Sequence, residues 1–274
     1  MTAETVDTLL AEGTRTLASR LDAQLLLAYL LAVPRAQLHS HPEATIEAAQ
    51  AASYRRLLGR RLAGEPLAYL TGRREFWSLD LAVTPAVLIP RAETELLVER
   101  ALAAGAPDEA RVADLGTGSG AVALALARER PRWRIVATDV SAAALAVARR
   151  NAAALGLTRI EFLEGSWFEP LGSARFDLLL SNPPYVAADD AALTDPALAR
   201  EPRLALTPGP DAMACLRALA HGAAAHLEPG GWLLLEHGAT QGEAVRSELV
   251  LAGFAHVRSH RDLARHERTT EGQR

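Results

Sequence analysis

The residues best suited to chemistry in this chain form one turn, Asn182-Pro183-Pro184-Tyr185. The turn follows an apolar run at 176–180, which predicts a short buried strand because the two prolines prevent its continuation. A carboxamide, a backbone carbonyl without neighbouring N–H groups and an aromatic ring are thereby brought together. This combination suits the binding of a planar nitrogen group. A proline turn that only ends a strand is the alternative interpretation.

A glycine-rich segment lies upstream and has the sequence Asp114-Leu115-Gly116-Thr117-Gly118-Ser119-Gly120. Glycines at the junction of a strand and a helix let backbone N–H groups approach a ligand closely. The spacing is G-x-G-x-G and differs from the G-x-G-x-x-G of dinucleotide-binding proteins. Asp114 is suited to hold an ammonium group or to order the glycine turn. A plain tight turn is the alternative here.

Two further residues are candidates for binding the same ligand. Asp139 ends the next predicted strand, 25 positions after Asp114, where a carboxylate can accept both hydroxyl groups of a ribose. Its alternative role is to cap the helix that begins near Ser141. Trp167 follows the third predicted strand and could lie flat against an adenine, or it could be a core tryptophan.

These residues fall at the ends of strands in a regular strand–helix alternation. Strands are predicted at 111–115, 133–138, 159–164, 175–180, 231–236 and 254–258, and helices at 119–130, 141–155, 211–227 and 240–252. This pattern is typical of a doubly wound α/β sheet. The segment 267–270 could add a final edge strand.

The first ninety residues differ in pattern. Residues 1–64 are predicted to be a helical substrate-recognition domain, with a second helix that ends at Pro34 and a third from about 42 to 62. Residues 65–90 are predicted to be a connector with a β-hairpin, because Glu75-Phe76-Trp77 and Leu79-Asp80-Leu81-Ala82-Val83 have the pattern of two short strands, closed by Pro85. The remainder, 91–274, would then carry the chemistry.

Composition excludes several classes of function. The chain has 274 residues and a net charge of −4, and its charges are interspersed, so no nucleic-acid or membrane footprint is predicted. It has no lysine, which excludes Schiff-base chemistry and a phosphate-loop lysine. With one cysteine, Cys215, and scattered histidines, no disulfide and no metal site are expected. The N-terminus resembles no signal peptide, so we expect a cytoplasmic protein. A monomer is the default expectation for its oligomeric state.

Together, the glycine segment, Asp139 and the Asn182–Tyr185 turn resemble S-adenosylmethionine-dependent methyltransferases of planar amino groups. Among these, the chain most resembles the HemK or PrmC family, the glutamine N5-methyltransferases of peptide chain release factors. Four further stretches carry this resemblance: Gly64-Glu65-Pro66-Leu67-Ala68-Tyr69-Leu70-Thr71-Gly72, Arg74-Glu75-Phe76-Trp77, Leu88-Ile89-Pro90-Arg91 and Leu235-Glu236-His237-Gly238.

The resemblance implies a Rossmann-like class I methyltransferase domain with a mixed seven-stranded sheet. It implies that S-adenosyl-L-methionine, whose product is S-adenosyl-L-homocysteine, binds to Asp114, Gly116, Thr117, Gly118, Ser119, Gly120, Asp139, Trp167 and Asn182. Catalysis is assigned to Asn182, Pro183 and Tyr185, and substrate binding to these and Pro184. Two positions depart from the family: Glu93 replaces an aspartate, and Ser166 replaces an acid found in many members before the tryptophan.

The resemblance also implies the substrate, the glutamine of the GGQ motif in class I release factors. Three alternatives remain at this point. Glutamine methylation of a large-subunit ribosomal protein uses the same chemistry, and so does adenine-N6 methylation of DNA, which calls for a basic recognition region that this chain lacks. A non-catalytic scaffold that binds a partner without turnover is the alternative from a different class.

Overall fold

The computed structural model describes residues 4–274, which form two compact units. One unit runs to Arg73 and includes the separate segment Asp195–Arg200. The other consists of Arg74–Thr194 and Glu201–Arg274. The first unit therefore continues past the boundary predicted after residue 64, and the assignment of a substrate-recognition role to it stays a prediction.

The described part of the first unit is helical, with α1 (Val6–Leu17), α2 (Arg20–Leu31), α3 (Arg35–Ser40), α4 (Ala48–Leu62) and α5 (Leu67–Thr71). The sequence pattern missed α3 and started the helix that ends at Leu62 too early. The preceding segment is extended, because Thr45 pairs with Thr5 and Ile46 N donates to Glu4 O at 2.8 Å. Burial of Ile46 in the core favours this pairing over another helical turn.

Tyr54 is the centre of this helical core. Its side chain is fully buried between α1, α2 and α4, and its hydroxyl donates to Ala23 O at 3.0 Å. A buried phenol needs such a partner. Gly13 of α1 leaves the space for it, since a Cβ at position 13 would lie 2.1 Å from the Tyr54 hydroxyl oxygen.

The predicted hairpin is present as β1 (Arg73–Phe76) and β2 (Leu79–Ala82). Its two turn residues, Trp77 and Ser78, have φ values of 51° and 56°, as in the type I′ turn that matches strand twist. This conformation is costly for residues other than glycine. Two hydrogen bonds stabilise the turn. Trp77 N donates to Glu95 Oε1 and Trp77 Nε1 donates to Glu129 Oε1, both at 2.9 Å.

A seven-stranded sheet organises the described part of the second unit, in the order β5-β4-β3-β6-β7-β9-β8. The strands are β3 (Arg111–Leu115), β4 (Arg134–Asp139), β5 (Glu161–Glu164), β6 (Phe176–Ser181), β7 (Leu227–Glu236), β8 (Ala255–Arg261) and β9 (Glu267–Gln273). β3 to β7 are parallel, whereas β9 is antiparallel to both of its neighbours. The prediction of a mixed seven-stranded sheet is confirmed.

The sequence pattern indicated that the last strand would lie at an edge of the sheet, and this prediction is wrong. β9 inserts between β7 and β8, so that β8 forms the edge. Thr269, Thr270 and Glu271 are fully or almost fully buried there. A polar sequence can occupy this position because the buried carboxylate of Glu271 has cationic partners: it accepts from Arg258 Nε at 2.6 Å and from Arg100 Nε at 3.3 Å.

Helices cover both faces of the sheet. They are α6 (Glu95–Ala103), α7 (Ala121–Glu129), α8 (Ala142–Ala154), α10 (Ala214–His226) and α11 (Gly242–Leu251). The short helix α9 (Arg203–Leu206) and 3-10 turns at Ala92–Thr94, Glu169–Leu171 and Ala191–Thr194 lie in the connections, and a further 3-10 turn, Leu198–Arg200, belongs to the first unit. In β6 the side chains alternate between the two cores: Leu178 and Leu180 pack on the side of α6 and α7, and Leu179 packs on the side of α10 and α11. This alternation is the two-residue period of a strand buried on both faces.

The strand order places the candidate residues together. β3 lies at the centre, with β4 on one side and β6 on the other. In an open α/β sheet the crevice at such a switch in strand order is the usual ligand site. Ser181 ties the end of β6 to the end of β3, because its Oγ donates to Leu115 O at 2.6 Å.

None of the helices described between residues 4 and 274 has both the length and the apolar character that crossing a membrane requires.

Candidate active site

A cavity of about 410 Å³ lies at the carboxyl ends of the central strands, large enough for a small organic ligand. Most of the residues predicted to bind the cofactor line it: Asp114, Gly116, Thr117, Gly118, Ser119, Asp139, Trp167 and Asn182. Pro184 lines it as well. Three predicted site residues, Gly120, Pro183 and Tyr185, do not contribute to its wall.

Gly120 has a structural explanation. Its φ is +84°, and a Cβ there would lie 3.2 Å from Ala148 Cβ and 3.1 Å from Leu124 Cδ1. The residue allows α7 to start close to α8, so glycine is required by backbone conformation and packing. We find no geometric reason to place it against a ligand.

The N–H groups of the glycine segment are used inside the protein. Gly116 N and Thr117 N both donate to Thr138 O at 2.9 Å, and Gly118 N donates to Asp139 Oδ2 at 2.9 Å. Gly120 N donates to Thr117 O, also at 2.9 Å. A phosphate-binding loop presents such N–H groups to its anion. These four are already satisfied, so the loop suits a ligand that offers no phosphate at this point.

Asp114 orders this loop and gives it negative charge. Its Oδ2 accepts from Thr117 Oγ1 at 2.7 Å and from Ala123 N at 3.3 Å. Burial raises the pKa of the Asp114 carboxyl to about 6, against the lowering effect of these two bonds. A buried carboxylate at the wall of a cavity favours a cationic ligand group, because the cation offsets the cost of burial.

Asp139 joins the glycine segment to the start of α8. Its Oδ2 accepts from Gly118 N and its Oδ1 accepts from Ser141 N, each at 2.9 Å. Ser141, rather than Asp139, is the N-cap of α8, since its hydroxyl accepts from Ala144 N at 3.2 Å. Burial raises the pKa of Asp139 above its ordinary value. Each carboxylate oxygen retains capacity for one further donor, as two adjacent hydroxyl groups would require.

Trp167 is held in an unusual backbone conformation beside the glycine segment. Its φ is +45°, which is uncommon for a large side chain. A Cβ at Gly116 would lie 3.2 Å from Trp167 Cζ3, so the ring packs directly against that glycine. Backbone strain of this kind is often found at binding sites. The ring is half-buried and forms part of the cavity wall.

The turn after β6 presents two acceptors. Asn182 Nδ2 donates to Thr94 Oγ1 at 3.1 Å. Within the described part of the chain, neither Asn182 Oδ1 nor the Pro183 carbonyl accepts a hydrogen bond. Two unsatisfied acceptors on adjacent residues can take the two hydrogens of an NH₂ group.

Tyr185 is fixed from the end of β7. Its hydroxyl lies 3.4 Å from Glu236 Oε1, and its carbonyl accepts from Gln241 Nε2 at 3.1 Å. Burial raises the pKa of the Tyr185 hydroxyl well above its ordinary value, so the phenol keeps its proton. Tyr185 is therefore neutral, and its ring packs against the core on the side of α10 and α11.

Sequence reasoning assigned no role to Glu201, although it organises one side of the cavity. Its side chain is almost fully buried, and it accepts from Ile89 N at 2.9 Å and from Arg91 Nη2 at 2.5 Å. Arg91 lines the cavity. The separation of more than a hundred residues between these partners explains why no local pattern revealed the contact.

The two departures from the family pattern both lie in exposed positions. Ser166 lines the cavity and donates from its backbone N to Glu169 Oε2 at 3.3 Å. Glu93 is exposed at the 3-10 turn that precedes α6. Among residues 4–274, no group of three or more histidine, cysteine, aspartate or glutamate side chains is placed to hold a metal ion.

Comparison with known proteins identifies the family. A release factor glutamine methyltransferase from Xylella fastidiosa is 52% identical over 266 residues, which cover 97% of this chain and 96% of that protein. A protein of the same name from Bordetella pertussis is 50% identical over 92% of this chain and 94% of its own length. The chain belongs to the release factor glutamine methyltransferase family.

Family models agree with the division of this family member into two parts. The model described as the PrmC N-terminal domain matches residues 8–72, and the methyltransferase small domain matches residues 92–211. The latter match spans all the candidate site residues named in the sequence analysis. A methyltransferase from Pyrococcus furiosus has the same fold, with a TM-score of 0.55 and 17% identity over 81% of this chain and 98% of that one. The predicted methyltransferase fold is confirmed.

Proposed function

We propose that this protein methylates the side-chain nitrogen of a glutamine in peptide chain release factors, with S-adenosyl-L-methionine as methyl donor. The observation that carries the proposal is the pair of unsatisfied acceptors, Asn182 Oδ1 and the Pro183 carbonyl, beside a cavity lined by carboxylates. The family relationship supplies the class of substrate.

The residues of the cavity fit this cofactor. Asp139 has capacity for two hydroxyl groups, Asp114 offers buried negative charge to a cation, and Trp167 offers a flat aromatic face. The satisfied N–H groups of the glycine segment fit a nucleoside that carries no phosphate. When bound, S-adenosylmethionine supplies an electrophilic methyl group on a sulfonium ion.

The turn residues address the weakness of an amide as a nucleophile. Resonance draws the nitrogen lone pair into the carbonyl, as in a peptide bond. Asn182 Oδ1 and Pro183 O can each accept one of the two amide hydrogens, which directs the lone pair towards the methyl donor. These bonds strengthen as positive charge grows on nitrogen, so they stabilise the transition state more than the bound substrate.

Orientation of the target amide relative to the methyl donor is the remaining contribution to catalysis. Transfer between two bound groups depends strongly on their alignment, and Tyr185 can fix the plane of the target amide by packing against it. The methylated nitrogen carries one surplus proton, which leaves to water after transfer. No side chain is needed as a general base, since an N-protonated amide is a stronger acid than hydronium and gives its proton directly to water.

We further assign the helical first unit to recognition of the release factor. It is the part of the chain that a methyltransferase domain alone would lack, and a separate family model matches it. The protein substrate is favoured over a nucleic acid because the chain has a net charge of −4 and no lysine. A monomer in the cytoplasm remains our expectation.

Incubation with a purified class I release factor and labelled S-adenosylmethionine tests the function. We expect one methyl group per release factor, mapped by mass spectrometry to the glutamine of the GGQ motif. A release factor with alanine at that glutamine is the control and should remain unlabelled. Label in a ribosomal protein or in DNA, and none in the release factor, would refute the proposed substrate.

The role of the turn is tested separately with Asn182→Ala. We expect transfer to be lost, while affinity for S-adenosylhomocysteine in calorimetry remains nearly that of the parent. Near-normal transfer in a single-turnover assay would show that Asn182 does not hold the target amide.

A further inference from the structure

The cavity at the carboxyl ends of the central strands has a single cationic residue in its wall. Of the described residues that line it, only Arg91 has a cationic side chain, whereas Asp114 and Asp139 contribute carboxylates. The chain has no lysine that could replace Arg91. An anionic group of a ligand in this cavity therefore has Arg91 as its one wall residue of opposite charge.

The guanidinium of Arg91 is held in place by Glu201. Arg91 Nη2 donates to Glu201 Oε1 at 2.5 Å, and Ile89 N donates to Oε2 of the same carboxylate at 2.9 Å. Only 2% of the Glu201 side chain is exposed, against 34% of the Arg91 side chain. Because the carboxylate is fixed at both oxygens, the guanidinium has a defined position before any ligand binds.

Arg91 also keeps donors available for a ligand. A guanidinium carries five N–H groups, and within residues 4–274 the Nε and Nη1 atoms of Arg91 donate to no protein group. A carboxylate is an anion whose two oxygens match a pair of neighbouring N–H groups of arginine. The free side of this guanidinium is therefore suited to a ligand carboxylate.

Arg91 belongs to the part of the wall that contacts Asn182. It directly precedes the 3-10 turn before α6, and Thr94 N of that turn donates to Arg91 O at 3.2 Å. Thr94 Oγ1 accepts from Asn182 Nδ2 at 3.1 Å. Asp139 and Trp167, in contrast, both contact the glycine segment. The cation and the predicted adenosine-binding residues thus belong to different parts of the wall.

The parts of S-adenosylmethionine follow one another in a fixed order: the adenosine, the sulfonium centre, and an amino acid part with an ammonium group and a carboxylate. In the proposed function the ribose binds to Asp139 and the methyl group lies near Asn182. The amino acid part then extends beyond the sulfonium centre, on the side of Arg91. A carboxylate that is removed from water there needs a partner. The glycine segment offers little alternative, because four of its N–H groups are bonded within the protein.

We propose that Arg91, held by Glu201, binds the carboxylate of the amino acid part of S-adenosylmethionine. The inference rests on the proposed function and adds a binding residue to it. Asp114 can take the ammonium group of the same part, because its carboxylate has the opposite charge. The two ionic groups of the amino acid part then each have a wall residue of opposite sign.

Calorimetry with two ligands isolates the carboxylate. S-adenosylhomocysteine carries it, and the decarboxylated analogue of S-adenosylhomocysteine keeps the adenosine, the sulfur and the amino group. Arg91→Met removes the guanidinium and keeps an unbranched apolar side chain. Arg246→Met is the matched control, because the Arg246 side chain is also 34% exposed, pairs with Glu267 at 2.7 Å and does not line the cavity.

We expect the parent to bind S-adenosylhomocysteine about 10- to 100-fold more tightly than the decarboxylated analogue, which is the contribution of a charge-assisted hydrogen bond. Arg91→Met should lose about this factor for S-adenosylhomocysteine and change by less than about threefold for the analogue. Arg246→Met should keep the preference of the parent. Equal affinity of the parent for the two ligands, or an undiminished preference in Arg91→Met, would overturn the proposal.

A double variant covers the case in which Arg91→Met does not fold. The single substitution leaves the buried Glu201 carboxylate without its cationic partner, which is destabilising. Arg91→Met combined with Glu201→Gln also removes the buried charge, and the glutamine keeps an acceptor for Ile89 N. This variant should likewise lose the preference for S-adenosylhomocysteine, and a retained preference would overturn the proposal.

The result is distinct from that of the release-factor assay. A parent protein that prefers S-adenosylhomocysteine to the analogue but labels no release factor would refute the proposed substrate and leave the role of Arg91 intact. A parent protein that methylates the release factor but binds both ligands equally would refute only the role of Arg91.

Discussion

The sharpest prediction concerns Asp139 and the ribose of the cofactor. Each carboxylate oxygen already accepts one backbone N–H, from Gly118 and from Ser141, at 2.9 Å. These two bonds hold the carboxylate so that one further acceptor position on each oxygen can face a pair of adjacent hydroxyl groups. Asp139→Asn replaces one acceptor oxygen by an NH₂ group, which cannot accept from a ligand.

The expected loss follows from one charge-assisted hydrogen bond. Such a bond contributes about 1.5–3 kcal/mol, and about 1.4 kcal/mol corresponds to a tenfold change in affinity. Asp139→Asn should therefore weaken S-adenosylhomocysteine binding by about 10- to 100-fold. Asp139→Ala removes both acceptors and should cost on the order of 1000-fold by the same reasoning.

Calorimetry with S-adenosylhomocysteine and with its 2′-deoxy analogue separates ligand contact from loop ordering. If Asp139 contacts the ribose, the substitution should cost much less for the deoxy ligand, because one of the bonds is already missing. Asp177→Asn is the control, since Asp177 Oδ2 also accepts a backbone N–H, from Arg111 at 2.7 Å, at the opposite end of the strands. An equal loss for both ligands, or no loss for either, would refute the ribose assignment.

Two other predictions concern pH and packing. Because the pKa of Asp114 is raised to about 6, its carboxylate is ionised above that pH, and affinity for cationic S-adenosylmethionine should fall as pH drops from 7 to 5. Calorimetry should show that this fall is greatly reduced in Asp114→Asn. An unchanged pH dependence in that variant would contradict the assignment. Gly13→Ala should destabilise the helical unit by about 1–3 kcal/mol, because its Cβ would lie 2.1 Å from the Tyr54 hydroxyl oxygen. Denaturant unfolding should show a smaller cost in a Tyr54→Phe background; additive losses would contradict the predicted clash.

The local sequence was sufficient to predict most helices and strands of the second unit and several of the residues that line the cavity. The glycine spacing, the proline-stopped strand before Asn182 and the alternation of apolar runs are short-range features. The helices and strands that were predicted in the strand–helix alternation begin and end within a few residues of the predicted bounds, whereas α9 was not predicted. Strand-end residues in a parallel sheet converge at one edge, so Asp114, Asp139 and Asn182 could be expected to meet.

Strand order and side-chain partners could not be derived in this way. The last strand pairs between β7 and β8 although its polar sequence suits an edge, because Arg100, Arg258 and His260 surround Glu271 from elsewhere in the chain. Glu236 was recognisable only as part of a familiar stretch, with no role attached. The sequence did predict a strand at 231–236 that ends at this glutamate, but it did not predict which strand would lie beside it. The pairing of β6 with β7 is what brings Glu236 to Tyr185.

The sequence by itself determined the chemistry of this protein: a carboxamide and an adjacent carbonyl in one turn, a glycine loop with its two carboxylates, and no lysine. The tertiary structure alone decided which side chains contact the residues of the turn. Thr94 is 88 positions from Asn182, and Glu236 is 51 positions from Tyr185. Hydrogen bonds act over about 3 Å, so contacts between residues this far apart in the chain exist only once the order of the strands has been established.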